Sequence, residues 1–225
     1  TLQYDDTGND SQFGGLAPSI SGNILSAVPS YIAMNHFSAS TTSEPYRLYS
    51  VVQPPIASAT AETEPNNTSA TANTSAINYV SASLSSSTDV DFFSFTAAAG
   101  DLIYVAMDND PLRDNTPING ALELQSSAGM TLIAVNDGNS TSTTTAGTSL
   151  TSTSPRSPND SLVYRARTAG THFVRVSTST AAGGDYLLFS RGELESNELS
   201  VDLVAPPVGG ARLFLAIAVG EAEGV

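Results

Sequence analysis

The sequence contains no cysteine, no lysine and no tryptophan. Without cysteine there is no disulfide, no thiolate zinc site and no thiol nucleophile. Without lysine, all eight basic residues are arginine, set against 22 acids for a net charge of −14. A chain of that sign repels phosphate backbones, so nucleic-acid binding is not expected, whereas divalent cations suit its carboxylates. Charge is sparse at 13% of residues. Long apolar runs are missing too. The longest, "LFLAIAV" (Leu213–Val219), falls far short of the roughly 20 residues a membrane-spanning helix needs. The first residue is Thr1 and no leader is visible, which reads as a processed product.

What is present is a 225-residue chain that is 40% hydrophobic, enough for one large domain or two small ones. Serine and threonine supply about a quarter of it, a composition of extracellular β-proteins. Helical periodicity is nearly absent. Short segments rich in Val, Ile, Leu, Tyr and Phe recur between Gly, Pro, Asn, Asp and Ser clusters instead. They are "INYVSASL", "DFFSFTA", "DLIYVAM", "ALELQS", "MTLIAVN", "SLVYRART", "THFVRVS" and "DYLLFS", spread from Ile77 to Ser190. In "THFVRVS" the alternation puts His172, Val174 and Val176 on one face and Phe173 and Arg175 on the other. Eight such segments predict an all-β, antiparallel, jelly-roll-like β-sandwich. "TAAAGD" and "RTAGT" read as hairpin turns.

The organisation read from this pattern has four parts. Residues 1–53 hold further β segments in "LQYDD", "SYIAMNHF" and "YRLYSVV", for which residues 197–225 are the candidate partner; residues 54–61 read as a linker. Residues 62–190 are the sandwich, interrupted by a low-complexity Ser/Thr stretch from Gly138 to Asp160. Residues 191–225 form a C-terminal β segment.

The chemistry concentrates in "ETEPNN" and "TDVDFFSF". Glu62, Glu64 and Asn66 are spaced by two, so an extended chain points all three the same way. Asp89 and Asp91 alternate just before an aromatic strand. Calcium takes about six to eight oxygens from carboxylates, amide carbonyls and backbone. These residues can supply them if the strand start folds back on the opening segment; the other reading is a set of solvated turn acids. Asp5, Asp6, Asn9 and Asp10, and Asp108, Asp110 and Asp114 in "MDNDPLRDN", read as ordinary polar loops.

The stretches "ETEPNNTSATAN", "DVDFFSFTAAAGDLIYVAM", "LELQSSAGMTLIAVND" and "SLVYRARTAGTHFVRVSTSTAAGGDYLLF" resemble the bacterial pre-peptidase C-terminal domain, a family related to the collagen-binding domains of clostridial collagenases. The resemblance covers about residues 62–190. It lies in the E-x-E-P-N-[ND] opening, the D-x-D-x-F strand, the G-T-x-[YF] strand and the closing G-x-Y-x-L. It implies a jelly-roll-like sandwich and calcium ligands at Glu62, Glu64, Asn66, Asn67, Asp89 and Asp91. Asn67 stands where the family commonly has Asp, and the Ser/Thr insertion after Asp137 is a further departure.

No catalytic constellation is expected. The two histidines, His36 and His172, lack an obvious acid and nucleophile, and there is no G-x-S-x-G, H-E-x-x-H or phosphate-binding loop. With no Trp and 7% aromatics, sugar-stacking platforms are few, which weighs against a carboxylate-pair glycosidase. Two roles remain. One is a calcium-stabilised, self-assembling fibre or surface-layer subunit outside a bacterial cell. It would be a homo-oligomer or filament joined through the strand Arg212–Val219, which apart from Arg212 is apolar on both faces. The same strand can equally be the centre of a small domain built with residues 1–53. The alternative role is an accessory module of a secreted peptidase that binds substrate, matrix or cell wall.

Overall fold

Alternating apolar segments become strands wherever two faces need covering. The computed structural model describes residues 9–11, 14–17, 19–33, 46–74, 79–136, 158–194, 210 and 212–219. The strands in them are β1 (Asn9–Ser11), β2 (Gly14–Ala17), β3 (Ser19–Ile24), β4 (Tyr46–Gln53), β5 (Thr60–Ala61), β6 (Asn73–Thr74), β7 (Tyr79–Leu84) and β8 (Val90–Ala97). They continue as β9 (Leu102–Asp108), β10 (Gly120–Ser126), β11 (Thr131–Val135), β12 (Asn159–Arg165), β13 (Gly170–Thr178), β14 (Gly184–Leu194) and β15 (Arg212–Val219). The eight segments of the central block are β7 to β14, so the chain is an all-β sandwich.

A seven-stranded sheet, in the order β2-β1-β12-β9-β14-β7-β5, faces a five-stranded sheet, in the order β11-β10-β13-β8-β6. The long ladders are antiparallel, and the edge pairings β1 with β12, β5 with β7 and β6 with β8 are parallel. "TAAAGD" and "RTAGT" do not make hairpins. The first carries the chain from β8 in the smaller sheet to β9 in the larger, and the second from β12 in the larger to β13 in the smaller. A glycine turn fixes the chain reversal but not whether the next strand pairs alongside or stacks about 10 Å away across the core. Only β10 and β11 pair as sequence neighbours within the central block, around Gly129 at φ 76°.

Between the two sheets lies the main core, which includes Ile103, Val105, Met107, Leu122, Leu124, Leu162, Tyr164, Val174, Val176 and Leu188. The opposite alternation of the larger sheet is also buried. Leu102, Tyr104, Ala106, Val163, Leu187 and Phe189 form a second cluster with Tyr79 and Phe214. Every residue of β9 is therefore buried. The cover over this outer face is a three-stranded sheet, in the order β3-β15-β4.

That small sheet decides how the C-terminal strand is used. β15 pairs along one side with β4, from Arg212 opposite Gln53 to Val219 opposite Tyr46, and along the other with β3. The β4 side is paired along its whole length and the β3 side from Arg212 to Ala216, so most of its edge positions are taken within the chain. Phe214 is fully buried, 6.0 Å edge-on from Tyr79 and 5.3 Å stacked from Phe189.

The N-terminal region differs more from expectation. "YRLYSVV" is β4, but Ser30–Ala33 of "SYIAMNHF" are not strand, and Met34–Phe37 lie outside the described residues. So do the first "LQYDD" and the late "LSVDLVA". Residues 54–61, read as a linker, contain a 3-10 helix (Ile56–Ser58) and β5, and Ile56 and Ala59 pack against the second cluster.

Replacing Phe214 by Ala should lower the unfolding free energy by about 3–5 kcal/mol, as for other buried Phe truncations. Urea titration checks this; a loss below about 1 kcal/mol would mean that β15 does not share the core.

Candidate metal centre at the rim of the sandwich

β8 begins with alternating residues of which Asp91, Phe93 and Ala97 are buried. This alternation carries the first of them, a carboxylate, to the mouth of the core. Asp91 is fully buried, and its Oδ2 accepts a 2.5 Å hydrogen bond from the Tyr186 hydroxyl on β14. Among the described residues, its Oδ1 has no hydrogen-bond partner.

The opening segment folds over this mouth. Residues 62–72 are not a strand, and the Glu64–Pro65 peptide is cis. Glu62, Glu64 and Asn66 converge through local hydrogen bonds rather than extended spacing. The Asn66 amide N–H donates to Glu64 Oε2 at 2.8 Å, and Asn66 Nδ2 donates to Glu62 Oε2 at 3.3 Å. The Ser83 N–H donates to Glu62 Oε1 at 2.6 Å, and the Phe92 N–H donates to the Asn66 carbonyl at 2.9 Å, which fastens the segment to β7 and β8. Asn66 is fully buried, and its side-chain oxygen is also without a partner.

One carboxylate oxygen from each of Glu62, Glu64 and Asp91 lies within 4.8 Å of the others. Burial pushes the Asp91 carboxyl up to about 8, and the neighbouring carboxylates of Glu62, Asp89 and Glu64 add to the rise. Burial raises Glu62 as well, with Glu64 contributing. Two orphaned oxygens and three converging carboxylates form a donor set that fits a hard, oxygen-seeking cation.

Asn67 and Asp89 stand beside this group and bond to each other, Asn67 Nδ2 donating to Asp89 Oδ1 at 3.0 Å. Asp89 serves the turn before β8. Its Oδ2 accepts the Ser85 N–H at 2.7 Å and its Oδ1 the Val90 N–H at 3.0 Å. Burial works to raise Asp89, but these hydrogen bonds outweigh it and hold the carboxyl below its usual value. Tyr186 and Ser83 are the residues that sequence reasoning missed; the signal for Tyr186 was its place as the Tyr of G-x-Y-x-L.

The other acidic stretches are arranged differently. In "MDNDPLRDN", Asp108 Oδ1 pairs with Arg113 Nη1 at 2.5 Å, and Asp110 accepts the N–H groups of Asp114 and Asn115. There an arginine stands where an ion would. Asp5 and Asp6 lie outside the described residues, and Asn9 and Asp10 open β1. His172 is buried, stacked on Phe95 at 5.9 Å, with Nδ1 3.1 Å from the Gly170 carbonyl; this is a packed strand histidine. His36 lies outside the described residues.

No family model and no curated protein matches the chain. Among solved structures it is similar to the pre-peptidase C-terminal domain of a collagenase from Bacillus anthracis. The two are 15% identical, over 58% of this chain and 100% of that one, with a TM-score of 0.38.

The raised carboxyls set a pH dependence for the metal-free protein. A group that holds its proton more tightly folded than unfolded makes the native state the more protonated one, so stability falls as pH rises. For Asp91 the window runs from its unfolded value of about 4 up to about 8. In chelator, the melting temperature should fall from pH 5 to pH 8, and Asp91→Asn should flatten that slope. A melting temperature that climbs across this range would contradict the geometry.

Proposed function

We infer that the chain is a non-catalytic β-sandwich module of a secreted bacterial protein, stabilised by calcium at Glu62, Glu64, Asp91 and Asn66. The observation that carries the metal reading is that one carboxylate oxygen from each of Glu62, Glu64 and Asp91 lies within 4.8 Å of the others, with Asp91 Oδ1 and Asn66 Oδ1 buried and without a hydrogen-bond partner among the described residues. Calcium there would neutralise the buried charge and cross-link the opening segment to β8. Magnesium suits the group less well, because it demands stricter geometry and keeps more of its water.

The role that fits a self-contained sandwich is the accessory one: a substrate- or matrix-binding module of a secreted peptidase. Its support is the pairing of β15 on both sides within the chain together with the motif resemblance over residues 62–190. A fibre joined through Arg212–Val219 is less favoured, because β4 pairs along all of this strand and β3 along Arg212–Ala216 within the same chain.

Calcium at a hundredfold excess over its dissociation constant should stabilise the protein by about 2.7 kcal/mol, because a ligand bound only by the folded state shifts the folding equilibrium. Thermal melts with calcium and with chelator read this directly, and Glu64→Gln or Asp91→Asn should abolish the difference. Equal melting temperatures in the two buffers would remove the metal. Light scattering after size exclusion should give a monomer, and pull-down on insoluble collagen, chitin or peptidoglycan should retain it. A filament, or failure to bind all three, would count against the accessory role while leaving the metal result standing.

A further inference from the structure

The seam between the small sheet and the sandwich is built unlike the main core. Among the described residues, its apolar cluster includes Leu102, Tyr104, Ala106, Val163, Phe189 and Phe214. One end of the seam is ionic. Asp108, at the end of β9, is fully buried between two guanidinium groups: Arg113 Nη1 at 2.5 Å and Arg212 Nη1 at 3.9 Å. Arg212, on β15, donates to the Gly22 carbonyl at 3.1 Å and the Pro111 carbonyl at 2.8 Å; Arg113 donates to the Ser21 carbonyl at 3.1 Å. Gly22 has φ 70°, and a Cβ there would overlap the Asp108 carboxylate. One carboxylate thus joins β9, the loop after it, β3 and β15.

This junction is incompletely satisfied. Asp108 Oδ2, Arg113 Nε and Arg212 Nε are buried without hydrogen-bond partners, and so are the hydroxyls of Tyr79 and Tyr104 in the apolar part of the seam. Buried polar groups without partners favour any state that returns them to water. A contact carrying such groups is a place where a fold can open locally.

We propose that the three-stranded sheet β3-β15-β4 is a strap. It opens as one unit from the outer face of the larger sheet while the two-sheet sandwich stays folded, baring Tyr79, Tyr104 and Phe189. The Asp108–Arg212 contact is its latch. The strands of the strap keep their own ladders when it opens, since β15 pairs with β3 and β4 and with no strand of the sandwich. The aromatic face beneath has the strap itself as its occupant.

Native-state hydrogen exchange read by mass spectrometry on the full chain, in calcium-containing buffer, tests this. After partial destabilisation with urea, peptides covering β3, β4 and β15 should share one opening step, at least tenfold more frequent than that of β10 and β13. Arg212→Met should make that step at least tenfold more frequent again and leave β10 and β13 unchanged. If β15 exchanges in step with β10 and β13 in the unsubstituted protein, there is no separate strap. If Arg212→Met folds and leaves the strap rate unchanged, the latch assignment is overturned. The unsubstituted protein decides the first point even if the variant does not fold.

Discussion

The constraint on which this structure turns is that its larger sheet is covered on both faces. β9 lies within that sheet, and none of its seven residues reaches solvent. A half-covered antiparallel sheet shows one apolar and one polar alternation, whereas a sheet covered on both faces is apolar in both. That is why "LIYVAM" carries Ile103, Val105 and Met107 toward the smaller sheet and Leu102, Tyr104 and Ala106 toward the strap. It is also why the chain needs β3, β4 and β15. Without them, Tyr104 and Phe189 would face water. The single charged residue of β9, Asp108, ends the strand in the interior and draws two arginines to it.

Much of the fold was legible because its central strands are long enough to show their period. Val174 and Val176 are fully buried and Arg175 only partly so, as the alternation in "THFVRVS" implies. Connectivity was less legible. Turns such as "TAAAGD" look the same locally whether they close a hairpin or cross between sheets, and the choice is made by packing across the core. β1, β2 and β5 span two to four residues, too short for any period to register. For β15, the pattern marked a strand but not which strands flank it. The answer came from β3 and β4, more than 150 residues earlier in the chain by the numbering of their partners.

The candidate site was legible in composition and less so in geometry. Glu62, Glu64 and Asp91 converge, but through a folded segment stitched by Asn66 and Ser83 rather than through an extended one. Asp89 looks equivalent to Asp91 in "DVD", yet β8 begins at Val90, so Asp91 belongs to the strand and Asp89 to the turn before it. Asp91 points to the core, where burial withholds solvent, while Asp89 caps a turn whose amides stabilise its charge. G-x-Y-x-L marks Tyr186, but the motif does not say that its hydroxyl reaches Asp91 from the opposite sheet. Such contacts depend on how two sheets stack, which is a property of the whole core.

The central claim is that Glu62, Glu64, Asp91 and Asn66 surround a bound calcium ion. Anomalous diffraction from crystals grown with calcium tests it most directly. The account predicts one strong peak about 2.3–2.6 Å from carboxylate oxygens of Glu62, Glu64 and Asp91 and from Asn66 Oδ1. A calcium-soaked crystal with no peak there, or with the ion at Asp108, Asp110 and Asp114 instead, would contradict it.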